Sequence, residues 1–271
     1  MSTFRGDKYV TPLYRILERD VPDAGGTGTW LQIGDEKFLV TAAHVIDNGF
    51  IWFPRKNGFK RLNSPGVMTN SRTKSRDDDR GDFAIFHLQP EDINAMHPFH
   101  NFIQMSDVDV NLNYRFREPY EFIGFPYRRE KLNHIAKQTR PGFMSVTSEA
   151  VSEETFAALG LSIHTHAVIA FRRDKMMRSG TRVTAPLPHG MSGGAVWKRY
   201  PGTETRKLCA IAIEYREHCL IGSRISGLLE YIRARFSWLS QYIPEPNDVS
   251  IVITKDGQEI DRAIGSSEPV F

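Results

Sequence analysis

Short apolar runs rich in Val, Ile, Phe and Tyr recur along this chain, and almost nothing between them has the length or period of a helix. Thr29–Ile33 and Lys37–Thr41 flank the turn Gly34–Asp35–Glu36 and read as a hairpin. Phe83–Leu88 ("FAIFHL"), Tyr120–Phe125 ("YEFIGF"), His164–Phe171 ("HTHAVIAF") and Leu208–Tyr215 ("LCAIAIEY") are further strands of this kind, bounded by Gly, Pro or charged turns. Many short strands without alternating long helices restrict the fold to barrels or sandwiches. The clearest helical period runs from Ile225 to Tyr242, where Leu228, Leu229, Ile232, Phe236 and Leu239 share one face and Pro244 and Pro246 stop the helix.

Length and organisation narrow this further. At 271 residues with 40% apolar content, the chain suits one large domain or two packed barrels. The stretch Ser106–Asn113 ("SDVDVNLN") divides it into two β-rich halves. The expected units are residues 1–110, residues 111–246 with the helix at their end, and a tail 247–271 that reads as a hairpin around Asp256–Gly257. Asn70–Arg80 is polar and reads as an exposed loop.

Charge and cysteine content remove several function classes. The net charge is +3, from 35 basic and 32 acidic side chains, which gives no basis for a nucleic-acid binder. The clusters Arg128–Arg129 and Arg172–Arg173 are short and read as solvated faces. No stretch approaches the ~20 apolar residues of a membrane span. Pro12 and Arg15 interrupt any secretory-type run near the start. With two cysteines, Cys209 and Cys219, the chain is not a disulfide scaffold; a pairing of the two across a hairpin stays open, but free thiols and a reducing, cytoplasmic setting are expected. The spacing His164-x-His166 lacks nearby partners for a metal, and no cofactor is expected.

The chemistry-bearing stretch is "HGMSGGAVW", His189–Trp197, a serine framed by three glycines ahead of a strand. Gly190-x-Ser192-x-Gly194 also fits the nucleophile elbow of α/β-hydrolases. That elbow requires a helix after the serine, then an acid and a histidine. Two glycines and "AVW" follow instead; His218 is the one later histidine, with no Asp between. The order His–Asp–Ser fits better. His44 lies just after the apolar strand "FLVT", and Asp82 stands directly before Phe83–Ala84–Ile85–Phe86, where an acid can be buried beside an imidazole. Asp77, Asp78 and Asp79 belong to a charged run and read as exposed. His44 and Asp82 are 38 residues apart, Asp82 and Ser192 110.

The segments "TAAHV", "GDFAIF" and "GMSGGAVW", in this order, resemble the catalytic blocks of trypsin-like (chymotrypsin-fold) serine peptidases. "GTGTWLQI" is similar to the strand before the histidine in the bacterial trypsin-like, HtrA-type branch; "YEFIGFP" and "RPGFMSV" resemble strands of the second barrel. The resemblance runs from about Thr27 to Leu229 and shows no domain of PDZ size after the helix. It implies an all-β fold of two antiparallel six-stranded β-barrels with a C-terminal helix. His44 and Asp82 would come from the first barrel and Ser192 from the second.

The resemblance also implies roles. Ser192 would attack a peptide carbonyl, His44 would act as general base, and Asp82 would orient the imidazole. The amides of Gly190 and Ser192 would form the oxyanion hole. The strand Ile211–Ala212–Ile213 would wall the substrate pocket, with His189 at its mouth. Pro186 stands where trypsin carries its specificity aspartate, which favours a small or apolar residue at the cleavage site; Glu214 keeps a basic one open. Met191, where digestive trypsins have an aspartate, cannot pair with a new N-terminus, so no zymogen activation of that kind is expected. The partner implied is a protein or peptide substrate, with a regulatory protein or loops restraining it; Asn70–Arg80 and the C-terminal hairpin are candidates. The alternative reading is a catalytically silent interaction module of the same fold.

Overall fold

The structure is a computed structural model of the whole chain, and it describes residues 4–18, 21–69, 81–111, 114–127, 131–133, 138–178, 180–245, 249–255 and 258–264. The loop Asn70–Arg80, the pair Arg128–Arg129 and the turn Asp256–Gly257 lie outside these residues.

Two curled antiparallel sheets carry the fold. The first contains β1 (Val10–Ile16), β2 (Pro22–Ile33), β3 (Glu36–Thr41), β4 (Trp52–Arg55), β5 (Gly58–Arg61), β6 (Gly66–Met68), β7 (Ala84–His87) and β8 (Ile103–Gln104). Its order is β5-β4-β1-β2-β3-β7-β6, with β8 added in parallel to β2. The second begins with β9 (Pro119–Gly124). It continues past the small hairpin β10 (Lys131–Asn133) and β11 (Gln138–Arg140) to β12 (Met144–Glu149) and β13 (His166–Ala170). A second small hairpin, β14 (Met176–Arg178) and β15 (Thr181–Val183), precedes β16 (Ala195–Arg199), β17 (Arg206–Arg216) and β18 (Cys219–Arg224). The order is β12-β9-β16-β17-β18-β13. In the tail, β19 (Val249–Lys255) pairs antiparallel with β20 (Gln258–Ile264).

Helices are short: α1 (Ala43–Asp47), α2 (Pro90–Ala95), α3 (Glu153–Ala158) and α4 (Ile225–Arg235). No helix among the described residues is long and apolar enough to cross a membrane. The helical period read from Ile225 to Tyr242 divides in two. The α-helix ends at Arg235, Phe236 takes a non-helical backbone, and Ser237–Tyr242 continues as 3₁₀ turns. The reason is local packing: Phe236 sits edge-on to Phe38 and His87 of the first sheet.

One core cluster binds the two sheets to each other. Leu31, Phe38 and Ile85 from the first meet Ile123, Trp197 and Leu208 from the second, and Ile225, Leu228, Leu229 and Ile232 of α4 join them. Each fully buried side chain of this size contributes about 1.5–3 kcal/mol, so the cluster fixes the sheets in place. Cys209 and Cys219 are both buried and unpaired.

His100 makes the packing pH-sensitive. Burial beside Trp30 holds its pKa down at about 4, although the Lys8 carbonyl opposes the shift, and among the described residues its buried Nδ1 has no partner. The unfolded chain takes up this proton near pH 6.5, whereas the folded one waits until about pH 4. Stability is therefore present above pH 6.5 and lost as pH falls toward 4. Urea melts at pH 7 and pH 4.5 should show up to about 2 kcal/mol of loss that His100→Gln largely removes.

Candidate active site

Three threonines of the first sheet hold the serine loop of the second. In β2 the Thr27 N–H donates to the Ser192 carbonyl at 2.8 Å, and its Oγ1 donates to the Gly190 carbonyl at 2.7 Å. The same Oγ1 accepts from the Phe125 N–H at 3.0 Å. Thr29 Oγ1 donates to the Gly193 carbonyl at 2.8 Å, and Thr41 Oγ1, at the end of β3, donates to the Thr27 carbonyl at 2.7 Å. All three side chains are fully buried. Alternation along β2 puts positions 27 and 29 on one face, so the pattern "TGT" presents two hydroxyls toward the partner sheet. The "GTGTWL" run held this signal; it is read above as a strand marker only.

Directly after Thr41, the chain turns into α1, which carries His44. The Ala43 N–H donates to the Asp82 carbonyl at 3.2 Å, and the His44 N–H donates to Asp82 Oδ1 at 3.0 Å. Asp82 Oδ2 lies 2.6 Å from His44 Nδ1. The carboxylate side chain is 10% exposed and the imidazole 31%. Asp82 has φ +38, a left-handed conformation uncommon outside glycine and tolerated best by Asp and Asn. That backbone lets one carboxylate meet both the main-chain and the ring nitrogen of His44.

On the other side, the loop before β16 folds into two tight turns, closed by Met191 N–H to the Pro188 carbonyl and Gly194 N–H to the Met191 carbonyl, each 2.9 Å. The Gly193 N–H donates to the Ala212 carbonyl at 2.7 Å, and the Ala212 N–H returns a bond to Gly194 at 2.8 Å. Among the described residues the amides of Gly190 and Ser192 have no acceptor. Gly190 has φ +98, and a Cβ there would stand 2.7 Å from the Phe125 carbonyl oxygen, so only glycine fits. Its neighbour His189 stacks on Tyr127.

Ser192 Oγ donates to the Ile213 carbonyl at 3.1 Å; among the described residues it makes no bond to His44. That carbonyl is free because β17 bulges against β18 between Ala212 and Glu214, which leaves Ile213 outside the ladder. The structure thus joins His44 to Asp82 directly and sets Ser192 on the neighbouring sheet, its hydroxyl turned to β17.

A pocket of about 40 Å³ opens beside Ser192, lined by Phe122, Pro188, His189, Met191, Ala212, Glu214, Tyr215 and Leu220. His189 and Ala212, two of the residues expected at a substrate pocket, line this one. Ile211 and Ile213 do not line it. The pleat turns Ile211 into the core shared by both sheets, and the bulge turns Ile213 into the cluster with Trp30 and Phe53. Tyr215 and Leu220, directly paired across β17 and β18, line it instead. Glu217 and His218 form the two-residue turn between those strands, both at positive φ.

No protein-family model matches the sequence, and no curated protein matches it. Among solved structures, the chain is similar to the crystal structure of a scabies mite protein described as an inactivated protease paralogue. The TM-score is 0.53 at 10% identity, with 87% of this chain and 98% of that one covered. At this identity the likeness speaks to architecture. With the two sheets and the terminal helix, it establishes the all-β trypsin-like (chymotrypsin) fold.

Proposed function

We propose that the protein is a serine endopeptidase, and the observation that carries this reading is the His44–Asp82 pair on one sheet and, on the loop that sheet holds, two amides unbonded among the described residues. In this reading Asp82 fixes the proton on Nδ1, which leaves Nε2 as the base. Ser192 leaves the Ile213 carbonyl by rotation about its Cα–Cβ bond and gives its proton to His44 as it attacks the peptide carbonyl. The oxyanion that develops accepts from the Gly190 and Ser192 amides. His44 then returns the proton to the leaving amine, and water repeats the sequence on the acyl-enzyme. The small volume of the pocket, about 40 Å³ with Tyr215 and Leu220 in its lining, supports a small apolar side chain at the cleavage site. Met191, 2% exposed within an apolar cluster, supports activity without an ion pair to a new N-terminus. Two unpaired buried thiols favour a reducing compartment. The HtrA-type branch rests on the sequence resemblance alone.

A second reading, a silent module of the same fold, is favoured by the Ser192 hydroxyl bonded to Ile213. A fluorophosphonate probe separates the two. It should label the wild-type chain at one site and leave Ser192→Ala unlabelled. An unlabelled wild-type chain with its circular dichroism intact would establish the silent module.

A further inference from the structure

The connection between β13 and the serine loop carries a hairpin that the proposed chemistry leaves unused. Residues 172–182 hold Arg172, Arg173, Lys175, Arg178 and Arg182 against the single acid Asp174, whereas the rest of the chain holds 30 basic and 31 acidic side chains. The positive charge of the protein is therefore concentrated in this one segment. Its base is pinned. Arg173 Nε donates to the Ala185 carbonyl at 2.8 Å and the Ala185 N–H to the Arg173 carbonyl at 2.9 Å. Arg182 Nε donates to the Asp174 carbonyl at 2.7 Å while its Nη2 stands 3.6 Å from the Asp174 carboxylate. Asp174 is thus engaged. Arg172 and Lys175 are exposed and make no ion pair among the described residues. Met177, 61% exposed, is the most exposed large apolar side chain among the described residues.

Its position ties this hairpin to the candidate active site. Ala185 and Met176 pack against the core of the second sheet. Pro188 and His189, three and four residues after Ala185, line the pocket beside Ser192. Three residues span at most about 11 Å, so the base of the cationic hairpin, where Ala185 pairs with Arg173, lies within that distance of the pocket lining.

We propose that this hairpin docks an acidic segment of the protein substrate, outside the residue that enters the pocket. That the docked chain is a substrate rests on the peptidase reading; the binding itself does not. Exposed, unpaired Arg and Lys beside a cleft raise the local concentration of carboxylate-bearing chains, and Met177 offers an adaptable apolar contact between them. A nucleic acid fits less well, because residues 172–182 contain no aromatic ring on which a base could stack.

The test measures binding first. Fluorescence anisotropy with the full-length Ser192→Ala chain compares a fluorescein-labelled Asp/Glu-rich peptide with its Asn/Gln counterpart. The acidic peptide should bind about tenfold tighter at ~50 mM salt and lose most of that advantage at ~300 mM. Arg172→Glu/Lys175→Glu should abolish the preference. Arg55→Glu/Lys56→Glu, the same charge change on the β4–β5 turn at the outer edge of the first sheet, should leave it within about twofold. Cleavage of the same sequences by the wild-type chain should follow the same order. Equal binding of the two peptides, or equal loss in both charge variants, overturns the proposal. So does tighter, hairpin-dependent binding of a single-stranded RNA or an anionic vesicle. If binding behaves as expected but nothing is cleaved or labelled, the docking surface stands and the peptidase reading fails.

Discussion

Asp82→Asn should lower kcat on a peptide substrate about 10⁴-fold while leaving the fold in place. Both carboxylate oxygens are committed, Oδ1 to the His44 main-chain N–H and Oδ2 to the ring Nδ1. An asparagine has one oxygen and one NH₂. With its oxygen toward the main chain, the NH₂ faces Nδ1 and forces the ring proton onto Nε2, where it can no longer accept from Ser192. With its oxygen toward the ring, two donors confront each other at the main chain. Asparagine tolerates the left-handed backbone at this position, so the change isolates the hydrogen bonding. The measurement is kcat beside a thermal melt. A variant that melts like wild type and keeps its rate would remove Asp82 from the mechanism.

Gly193→Ala should act on structure instead. Gly193 has φ +88, and a Cβ there would lie 1.8 Å from the Thr27 carbonyl oxygen and 2.2 Å from Thr41 Oγ1. Neither neighbour can yield, since Thr41 Oγ1 is itself bonded to the Thr27 carbonyl and both threonines are fully buried. The left-handed backbone adds roughly 1–2 kcal/mol of strain and the overlap about 1–3 more. A total of about 2–5 kcal/mol is a large share of the stability of a domain. Urea unfolding should show that loss, together with weaker fluorophosphonate labelling. Gly202→Ala, at a positive-φ site with nothing within 4 Å of the added carbon, should cost only the strain component. Similar melts for the two variants would mean that Gly193 is not clamped between the sheets.

The strands were legible because their residues alternate or run apolar over four to eight positions, and the order His44, Asp82, Ser192 was legible because each stands at the end of such a run. The residues that fix their mutual placement were not. Thr27, Thr29 and Thr41 look like ordinary strand threonines until the second sheet supplies their acceptors, and only long-range pairing does that. Which residues of β17 face the pocket beside Ser192 was not legible, because a bulge at Ile213 changes which way successive side chains face, and one extra residue in a ladder leaves no trace in composition. The hairpin at 176–183 left no signal beyond the neighbouring pair Arg172–Arg173, read as a solvated face: its strands are three residues each, too short for a periodic pattern.

The turn Glu217–His218 limits what the pocket beside Ser192 can admit. Two residues are the shortest connection two antiparallel strands allow. With Tyr215 facing Leu220 just above it, nothing spare exists to retract, so the depth of the cavity is written into main-chain hydrogen bonds. Swapping side chains there could deepen the hole by a few atoms; admitting a long basic residue would take new backbone. In the peptidase reading, discrimination among targets is left to surfaces outside the hole, where the chain has length to vary.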